Sequence, residues 1–320
     1  MNLLRVAALV ARRTAAAVLV LAVLSVLIFT VTEVLPGDAV SVVAGADATV
    51  SEREQLRREL GLDAHPVRRY ADWAAAALRG DLGTGYVGRR EVTEVLVDRL
   101  PNSLLLTTLA MALAVPLAVA IGLVAGMRAG RRTDRLVSTA TLVAVGVPEF
   151  LVAALLVAVF AAGLGLLPEV SLVPLGGRPW DQPGILVLPV AALSVAALAA
   201  AARLLRASVA EIAAAPYVEA ARLRGVTGLR LAVRHVLPNA VAPAVQVTAV
   251  MFAGLIGGAV VVETLFNYPG IGYELQQAVA NRDVPMVQGL ALATCATALA
   301  LLLIGDLAQL ALTPAVRGRS

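Results

Sequence analysis

Six long apolar stretches divide the chain, and the polar segments between them hold most of its charged residues. Each stretch has about 20 or more mainly apolar residues, the length that a helix needs to cross a bilayer. The pattern therefore predicts an all-α integral membrane protein with six transmembrane helices. The third stretch is long enough to tilt or to end in an interfacial piece. The stretches are Thr14–Thr32, Ser103–Met127, Leu136–Leu167, Ile185–Leu205, Val241–Phe266 and Val287–Leu312.

The first stretch also has features of a secretory signal peptide, because Arg12 and Arg13 precede it. Its apolar run of 19 residues is longer than the roughly 7–15 of a typical signal core, and no clear A-x-A cleavage site follows. We therefore expect a retained first helix.

The arginines are distributed unequally between the two sides of the predicted bundle. All 26 basic residues are Arg, and 15 of them flank the N-terminus, the second and fourth connections and the C-terminus. The short third and fifth connections hold only Arg178 and Arg282. Because short cytoplasmic loops are enriched in Lys and Arg, both termini are predicted to be cytoplasmic. The net charge of +4 is then explained by membrane topology, and no nucleic-acid partner is expected.

Composition excludes several function classes. The chain is 59% hydrophobic and 15% charged, whereas soluble domains are about 45–50% apolar and about 25% charged. The absence of Lys excludes a Walker A loop and a Schiff-base site. One Cys and two His are too few for a zinc or iron–sulfur site built from those residues. No catalytic, cofactor or metal site is therefore predicted on this chain.

The polar segment Glu33–Leu100 is predicted to be external and partly folded. Ser51–Glu54 has the pattern of a capping box that opens a short helix, which Gly61 can end. A second helix is predicted over Pro66–Arg79, with Gly80 after it. The segment is either a solvated loop or a lid or docking surface for an extracellular partner.

The connection between the fourth and fifth stretches has the pattern of a helix–turn–helix at the membrane surface. Pro216 can begin a short helix, and Gly225 can end it in a left-handed turn. Thr227 can cap the next helix, and Pro238 is expected to break that helix.

One face of the first short helix is small enough for close contact with a partner. Ala220, Ala221 and Gly225 form this face, while Arg222 and Arg224 are expected to face water or acidic partner residues. The alternative is a basic amphipathic loop that lies among lipid headgroups.

The same connection resembles the EAA loop of ABC-importer permeases. The sequence Glu219-Ala220-Ala221 is followed by Gly225 and then by Leu237-Pro238. His235 occupies a position that is aliphatic in the general pattern, and His there is typical of the peptide-permease branch. The resemblance implies contact with ATPase subunits through Tyr217, Glu219, Ala220, Ala221, Arg222, Arg224, Gly225, His235, Leu237 and Pro238.

Further short segments resemble the first of the two permease subunits in importers of the dipeptide, oligopeptide and nickel branch. They are Thr32–Asp38, Leu60–Asp63, Tyr70 with Trp73, Gly80–Gly83, Arg99–Pro101, Val261–Thr264, Pro269–Gly270, Asn281–Asp283 and Val287–Gly289. Asp306 near the chain end also matches. Glu149 departs from the branch, which more often has a small polar residue there.

This resemblance implies a type I ABC-importer permease fold and a complete set of partners. They are a second homologous permease, two ATP-binding domains that hold ATP and Mg, and an extracellular substrate-binding protein. The chain itself is then non-catalytic and lies in the plasma membrane of a prokaryote. Its predicted divisions are 1–32, the external segment 33–100, a five-helix core 101–312 that contains the coupling loop 208–240, and a cytoplasmic tail 313–320.

Acidic side chains inside apolar stretches are functional candidates because burying a charge in a membrane is costly. Glu149, Glu263 and Thr264 are expected to line the translocation path. The alternative for Glu263 is a structural hydrogen bond to a neighbouring helix, and Glu149 is equally open to either role. Asp306 is expected to pair with an Arg. His235 is expected to be a packed loop residue, with a proton carrier as the alternative, and Cys295 is expected to fill the core.

Two G-x-x-x-G pairs permit close approach of helices. They are Gly122 with Gly126 and Gly254 with Gly258. The sequence leaves open whether each pair packs within this chain or against the partner permease.

The substrate is expected to be a di- or oligopeptide. Nickel chelates, glutathione or another small solute handled by the same machinery are the alternatives. An ion-coupled secondary transporter is an alternative of another class, and it would function without ATPase partners. A membrane-embedded enzyme would need a clustered catalytic set, whereas the three intramembrane acids lie on different stretches.

Overall fold

The structure, a computed structural model, describes residues 3–34, 44, 48–59, 63–174, 176–241 and 244–312. These residues form helices and loops, and their one β-type pairing is an isolated bridge between Thr84 and Glu91. The helices are α1 (Leu3–Val34), α2 (Val50–Glu59), α3 (Pro66–Ala77), α4 (Val92–Met127), α5 (Arg132–Gly146), α6 (Glu149–Leu156), α7 (Val187–Ala213), α8 (Pro216–Leu223), α9 (Gly228–Leu231), α10 (Leu237–Val241), α11 (Ala244–Phe266), α12 (Ile271–Ala280) and α13 (Val284–Leu312).

Within the described residues, five helices are long and apolar enough to cross a membrane, and a bent pair can supply a sixth crossing. Five of the six predicted spans are thus confirmed as single helices. Their membrane-spanning parts are Ala7–Val34, Val92–Met127, Pro183–Ala213, Thr248–Phe266 and Val284–Leu307.

The third predicted span, Leu136–Leu167, is not one helix. It is a pair, Arg132–Gly146 and Glu149–Gly163, bent by 100°. At the bend Val147 is extended (φ −84°, ψ 121°) and Pro148 follows it. Proline lacks an N–H and disfavours the helical conformation in the residue before it, so the helix must end there. The last turns of the second half are π-helical, over Val157–Gly163.

Helix α4 begins eleven residues before the predicted start of the second span. The end of the polar segment, from Val92 onward, therefore belongs to α4, and Pro101 lies inside the helix. Pro101 has no N–H to donate to the carbonyl of Val97, four residues earlier in the helix. Val97 is exposed, so water can reach this carbonyl.

Helices α4 and α7 pack closely along their length. A Cβ on Gly122 would lie 2.7 Å from Leu205 Cβ, and one on Gly126 would lie 2.6 Å from Val209 Cβ. This pair of glycines therefore packs within the chain. The second pair behaves differently, because Gly254 has nothing within 4 Å and Gly258 faces the carboxylate of Glu149.

Helices α1 and α13 are joined by polar contacts near both ends. Arg13 forms a 2.5 Å ion pair with Asp306, which confirms the expected Arg partner of that acid. Toward the other end, Gln288 Nε2 donates to Thr32 Oγ1 at 2.7 Å.

The polar segment after α1 contains the two predicted helices, with a shifted first cap. Thr49, not Ser51, makes the reciprocal bonds, because Thr49 N donates to Glu52 Oε2 at 2.8 Å and Glu52 N donates to Thr49 Oγ1 at 3.4 Å. Thr49-x-x-Glu52 satisfies the same capping rule two residues earlier. Gly61 and residues 35–38 of the predicted motifs lie outside the described residues.

The second of these helices, α3, packs on the end of α1. Its Tyr70 and Trp73 rings contact Phe29, with centroid distances of 5.4 and 6.1 Å. An ion pair of 2.6 Å between Arg69 and Glu33 lies beside this aromatic cluster.

The two ends of α4 carry different structures, which we call the α12 end and the α8 end. At the α12 end, Val92 and Val95 pack against α12 and the start of α13. At the α8 end, Leu123 packs against the connection between α7 and α11.

Candidate functional site

The helix–turn–helix between α7 and α11 is anchored by an apolar face. Pro216 is the first residue of α8, and Val218 and Ala221 of that helix are buried. They join a cluster with Leu123 of α4 and Val209 of α7. The predicted helix, turn and second helix are therefore present, and they form a compact unit on the ends of α4 and α7.

Gly225 ends α8 through its backbone conformation. Its φ is +85°, a region that favours glycine, and an added Cβ would have nothing within 4 Å. The predicted left-handed turn is confirmed. The predicted small face is only partly available to a partner, because Ala221 points into the chain's own core and Ala220 is half-buried.

The opposite face of α8 is exposed. Leu223 is 83% exposed, and Glu219, Arg222 and Arg224 are exposed beside it. Arg222 Nη1 lies 3.2 Å from Glu219 Oε2, and Arg224 Nε donates to the Ala220 carbonyl at 3.2 Å. This face therefore has an exposed leucine and charged side chains. Among the described contacts, those charged side chains interact only with residues of the same helix.

The second half of the unit departs from the prediction at Pro238. That residue lies inside α10 and does not break the helix. The preceding segment, Ala232–Val236, is π-helical, and its wider turn leaves room for the proline ring. Leu237 is half-buried and packs on the cluster, whereas Pro238 is exposed.

Three further predicted side chains lie around this turn. Tyr217 is 45% exposed, and its hydroxyl accepts from Asn239 Nδ2 at 3.0 Å. His235 is half-buried, and its Nδ1 is buried with no hydrogen-bond partner among the described residues. Thr227 occupies the cap position before α9, but its side chain makes no capping hydrogen bond.

An ion pair between a half-buried arginine and a buried aspartate lies next to this unit, and no sequence motif predicted it. Arg206 of α7 binds Asp134 of α5 through two contacts of 2.6 Å, and Gly130 N donates to the same carboxylate at 2.8 Å. Asp134 is buried. Asp134 is the only acid between Arg128 and Arg135, and this isolated acid among arginines was the available signal.

At the α12 end, Glu263 caps a helix. Its Oε2 accepts from Gly272 N at 2.7 Å and from Tyr273 N at 3.3 Å, both in the first turn of α12. A Cβ on Gly270 would lie 2.3 Å from the carboxyl carbon, so any larger residue there would displace the carboxylate from its cap. Glu263 has 0% exposure and here has the structural role that the sequence left as its alternative.

A second set of hydrogen bonds joins the start of α4 to the same turn. Asn102 Nδ2 donates to the Pro269 carbonyl at 2.8 Å, and Ile271 N donates to Ser103 Oγ at 2.8 Å. Tyr268 OH donates to the Asn102 carbonyl at 2.9 Å. Burial, and then the nearby Glu263 charge, raise the pKa of Tyr268, so its hydroxyl stays protonated as a donor.

Asp283 forms the third polar contact of this end, a role that no sequence motif predicted. Its carboxylate accepts from Tyr86 N at 2.8 Å and from Val87 N at 3.0 Å. A Cβ on Gly85 would lie 2.7 Å from Asp283 Oδ2. The glycine-rich loop between α3 and α4 thus closes on the turn before α13.

The residues predicted to line the path do not form one cluster. Glu149 is half-buried and packs on Gly258, whereas Thr264 is half-buried and its Oγ1 donates to the Val260 carbonyl at 2.8 Å. Path lining by Glu149 and Thr264 stays a prediction, and Cys295 is half-buried on α13. The described residues contain no group of three or more His, Cys, Asp or Glu able to hold a metal ion.

A cavity of about 500 Å³ opens at the α12 end, between the start of α4 and the loop before α7. Asp98 and Asn102 line one side, and Arg178 and Trp180 line the other. The Arg178 guanidinium lies 5.0 Å from the centre of the Trp180 ring.

Comparison with known proteins identifies the family. Residues 118–318 match the binding-protein-dependent transport system inner membrane component, and residues 6–107 match the N-terminal part of such membrane components. The glutathione transport system permease protein GsiC of Escherichia coli K12 is 33% identical over 295 residues, which cover 92% of this chain and 94% of the relative. A Brucella abortus relative named for peptide transport is 32% identical over 88% of this chain and 90% of its own length.

Members of this family are membrane subunits that work with ATPase subunits, a substrate-binding protein and a second permease, and they are not themselves catalytic. This fits the chain's apolar helices and its helix–turn–helix between α7 and α11. The chain belongs to the inner-membrane permease components of binding-protein-dependent ABC transport systems.

Proposed function

We propose that this permease imports short peptides. Support comes from the names of its relatives, which refer to glutathione and to peptide transport. Glutathione is itself a small peptide, so both names point to one chemical class. Nickel chelates remain the alternative substrate for the same machinery.

The proposed orientation places the α8 end in the cytoplasm and the α12 end outside. Arg128, Arg131, Arg132, Arg135 and the arginines of the α7–α11 connection all lie at the α8 end. This excess is the one expected for cytoplasmic loops. Both termini are then cytoplasmic.

The α8 helix is the proposed contact with the ATPase subunits. The observation that carries this proposal is the division of α8 into a buried anchor, Val218 and Ala221, and an exposed face around Leu223. Because α8 is fixed to α4 and α7, a partner that displaces α8 would move these membrane helices with it as a rigid element. Glu219, Arg222 and Arg224 supply the polar rim of this contact.

The α12 end is the proposed contact with the substrate-binding protein. The 500 Å³ cavity there exposes Trp180 and Arg178, and these residue types often dominate protein interfaces. Helices α2 and α3 belong to the same external surface in this proposal. ATP and Mg bind to the ATPase partners, and this chain holds no cofactor.

The test of coupling uses Leu223→Asp, which changes an exposed side chain and leaves the buried anchor intact. We expect normal membrane levels, loss of ATPase co-purification and at least tenfold lower uptake of a labelled tripeptide. Leu78→Asp is the matched control, because Leu78 is 91% exposed but follows α3 at the opposite end. Its ATPase association should be unchanged.

Two outcomes would contradict the proposal. If Leu223→Asp retains both ATPase association and uptake, α8 lies at the lipid headgroups and the transporter is powered in another way. If ATPase association is lost as expected but wild-type cells accumulate a nickel chelate and no di- or tripeptide, the coupling stands and the peptide assignment is wrong.

A further inference from the structure

The buried carboxylate of Glu263 has one oxygen that the helix cap does not use. Oε2 binds the first turn of α12, whereas Oε1 is buried and has no hydrogen-bond partner among the described residues. A carboxylate oxygen that is buried without a donor costs free energy, so a donor is expected beside it.

Glu263 borders a small cavity where four helices meet. The cavity has a volume of about 10 Å³ and lies among α4, α11, α12 and α13. Its polar lining comes from Glu263, Ser103, Thr294 and Thr297, and the rest is aliphatic. A volume of this size is at the lower limit for one water molecule, which needs two to four polar partners.

The two threonine hydroxyls that line this cavity already donate their protons to backbone carbonyls. Thr294 Oγ1 donates to the Leu290 carbonyl at 2.7 Å, and Thr297 Oγ1 donates to the Ala293 carbonyl at 2.8 Å. Toward the cavity they can therefore only accept a hydrogen bond. Two threonine acceptors and the free carboxylate oxygen thus border the same space.

Ser103 has the opposite capacity. Its Oγ accepts from Ile271 N, so its hydroxyl proton can be donated either to the neighbouring Glu263 carboxylate or to a molecule in the cavity. One donor and three acceptors line the cavity, and a molecule with two protons and free lone pairs matches this set. Four oxygen ligands are fewer than the six to eight that Ca²⁺ takes, or the six of octahedral Mg²⁺.

We propose that this cavity is a binding site for one structural water molecule. The water donates to Glu263 Oε1 and to a threonine hydroxyl of α13, and it accepts from Ser103. It would link α4, α11 and α13 at the point where α12 begins. Thr294 and Thr297 are then positioning residues for the Glu263 cap, although neither touches α12 through a hydrogen bond in the described contacts.

The test compares the double variant Thr294→Val, Thr297→Val with Thr294→Ser, Thr297→Ser in the assembled transporter in nanodiscs. Valine keeps the shape and removes both acceptors, whereas serine keeps the hydroxyls. Amide hydrogen exchange is measured at Gly272 and Tyr273, which bind the carboxylate. Loss of about one hydrogen bond predicts exchange roughly 2- to 10-fold faster in the valine variant and little change in the serine variant.

A structure of the wild-type transporter, at a resolution that shows ordered water elsewhere, is the second measurement. It should show one density peak within hydrogen-bond distance of Glu263 Oε1, and this peak should be absent from the valine variant. An empty cavity in the wild type would overturn the proposal. Unchanged exchange in the valine variant would also overturn it.

Two further outcomes would assign the site differently and so reject the water. If Ser103→Ala accelerates exchange but the valine pair does not, the Ser103 hydroxyl satisfies the carboxylate directly. If replacing sodium by choline in the buffer accelerates exchange in the wild type, a monovalent cation occupies the cavity.

Discussion

The α12 end and the α8 end of the molecule are held together by different interactions. At the α12 end, side chains such as Glu263, Asn102 and Asp283 bind backbone groups of distant segments. At the α8 end, the helix–turn–helix is held mainly by apolar side chains such as Val218, Leu231 and Val236. The buried Arg206–Asp134 pair adjoins that cluster without touching α8 through a hydrogen bond in the described contacts.

This difference has consequences for motion. Buried hydrogen bonds are directional, and losing one partner leaves the other unsatisfied, so the α12 end should resist local rearrangement. Apolar contacts are not directional and tolerate small shifts. The α8 end is therefore the better suited of the two to change its angle while it stays attached to α4 and α7.

The largest effect is expected at Asp283. Asp283→Ala leaves Tyr86 N and Val87 N without their acceptor, which should cost about 3 kcal/mol or more. The midpoint of thermal unfolding of the purified transporter measures this loss. Asp81→Ala is the control, because Asp81 accepts only from Gly83 in its own exposed loop among the described contacts. An equal loss in the two variants would refute the special role of the α12 end.

The next effect concerns the two glycine pairs. A Cβ in Gly126→Ala would lie 2.6 Å from Val209 Cβ and 2.8 Å from the Arg206 carbonyl oxygen, so α4 and α7 must separate. We expect a loss of roughly 1–3 kcal/mol, as for overpacked cores. Gly254→Ala is the matched control, with nothing within 4 Å in this chain.

The control also tests the partner interface. If Gly254→Ala leaves the isolated chain as stable as the wild type but lowers co-purification of the second permease, then Gly254 lies at the contact between the permeases. If Gly126→Ala unfolds no more readily than Gly254→Ala, the close α4–α7 packing does not contribute to stability.

A smaller loss is expected from the apolar anchor at the α8 end. Val218→Ala removes two buried methyl groups, which should lower stability by about 1–2 kcal/mol. Uptake should fall less than in Leu223→Asp, because the exposed face of α8 is unchanged. Thermal unfolding and tripeptide uptake are measured on both variants. A Val218→Ala variant with full stability but no uptake would contradict the assignment of Val218 to the anchor.

Elements governed by local pattern were predictable from the sequence. Apolar length predicted five spans, and Pro216 and Gly225 predicted the bounds of α8. The break at Pro148 was missed because the apolar run continues through it, and hydropathy outweighed the local proline signal. The cap at Thr49 was misplaced because Ser51 begins a second copy of the same four-residue pattern.

The contacts of the α12 end could not be predicted in this way. Tyr86 and Asp283 lie 197 residues apart in sequence, and no local rule pairs them. The resemblance did single out the short segments around Gly83 and Asp283, but as separate pieces. Their role becomes apparent only in the fold, where the Asp283 carboxylate binds Tyr86 N. The absence of a side chain on Gly85 leaves the space that this carboxylate occupies.

The smallest effect is expected at the cap of α2. Hydrogen bonds from Thr49 N, and then from the Thr49 hydroxyl, lower the pKa of Glu52 below its ordinary value of 4.5. A lowered pKa in the folded state means that the cap stabilises α2 above pH 4.5 and loses this effect as the pH falls through the folded pKa.

Limited proteolysis of the assembled transporter can detect the loss of this cap. Cleavage within α2, relative to cleavage of the C-terminal tail, should rise modestly in Glu52→Gln at pH 7, because the amide is a weaker acceptor than the carboxylate at the start of a helix. Glu54→Gln, two residues along the same helix, should leave cleavage unchanged. Equal cleavage in the two variants would mean that the Thr49–Glu52 bonds do not stabilise α2, and this helix would then depend on contacts with a partner.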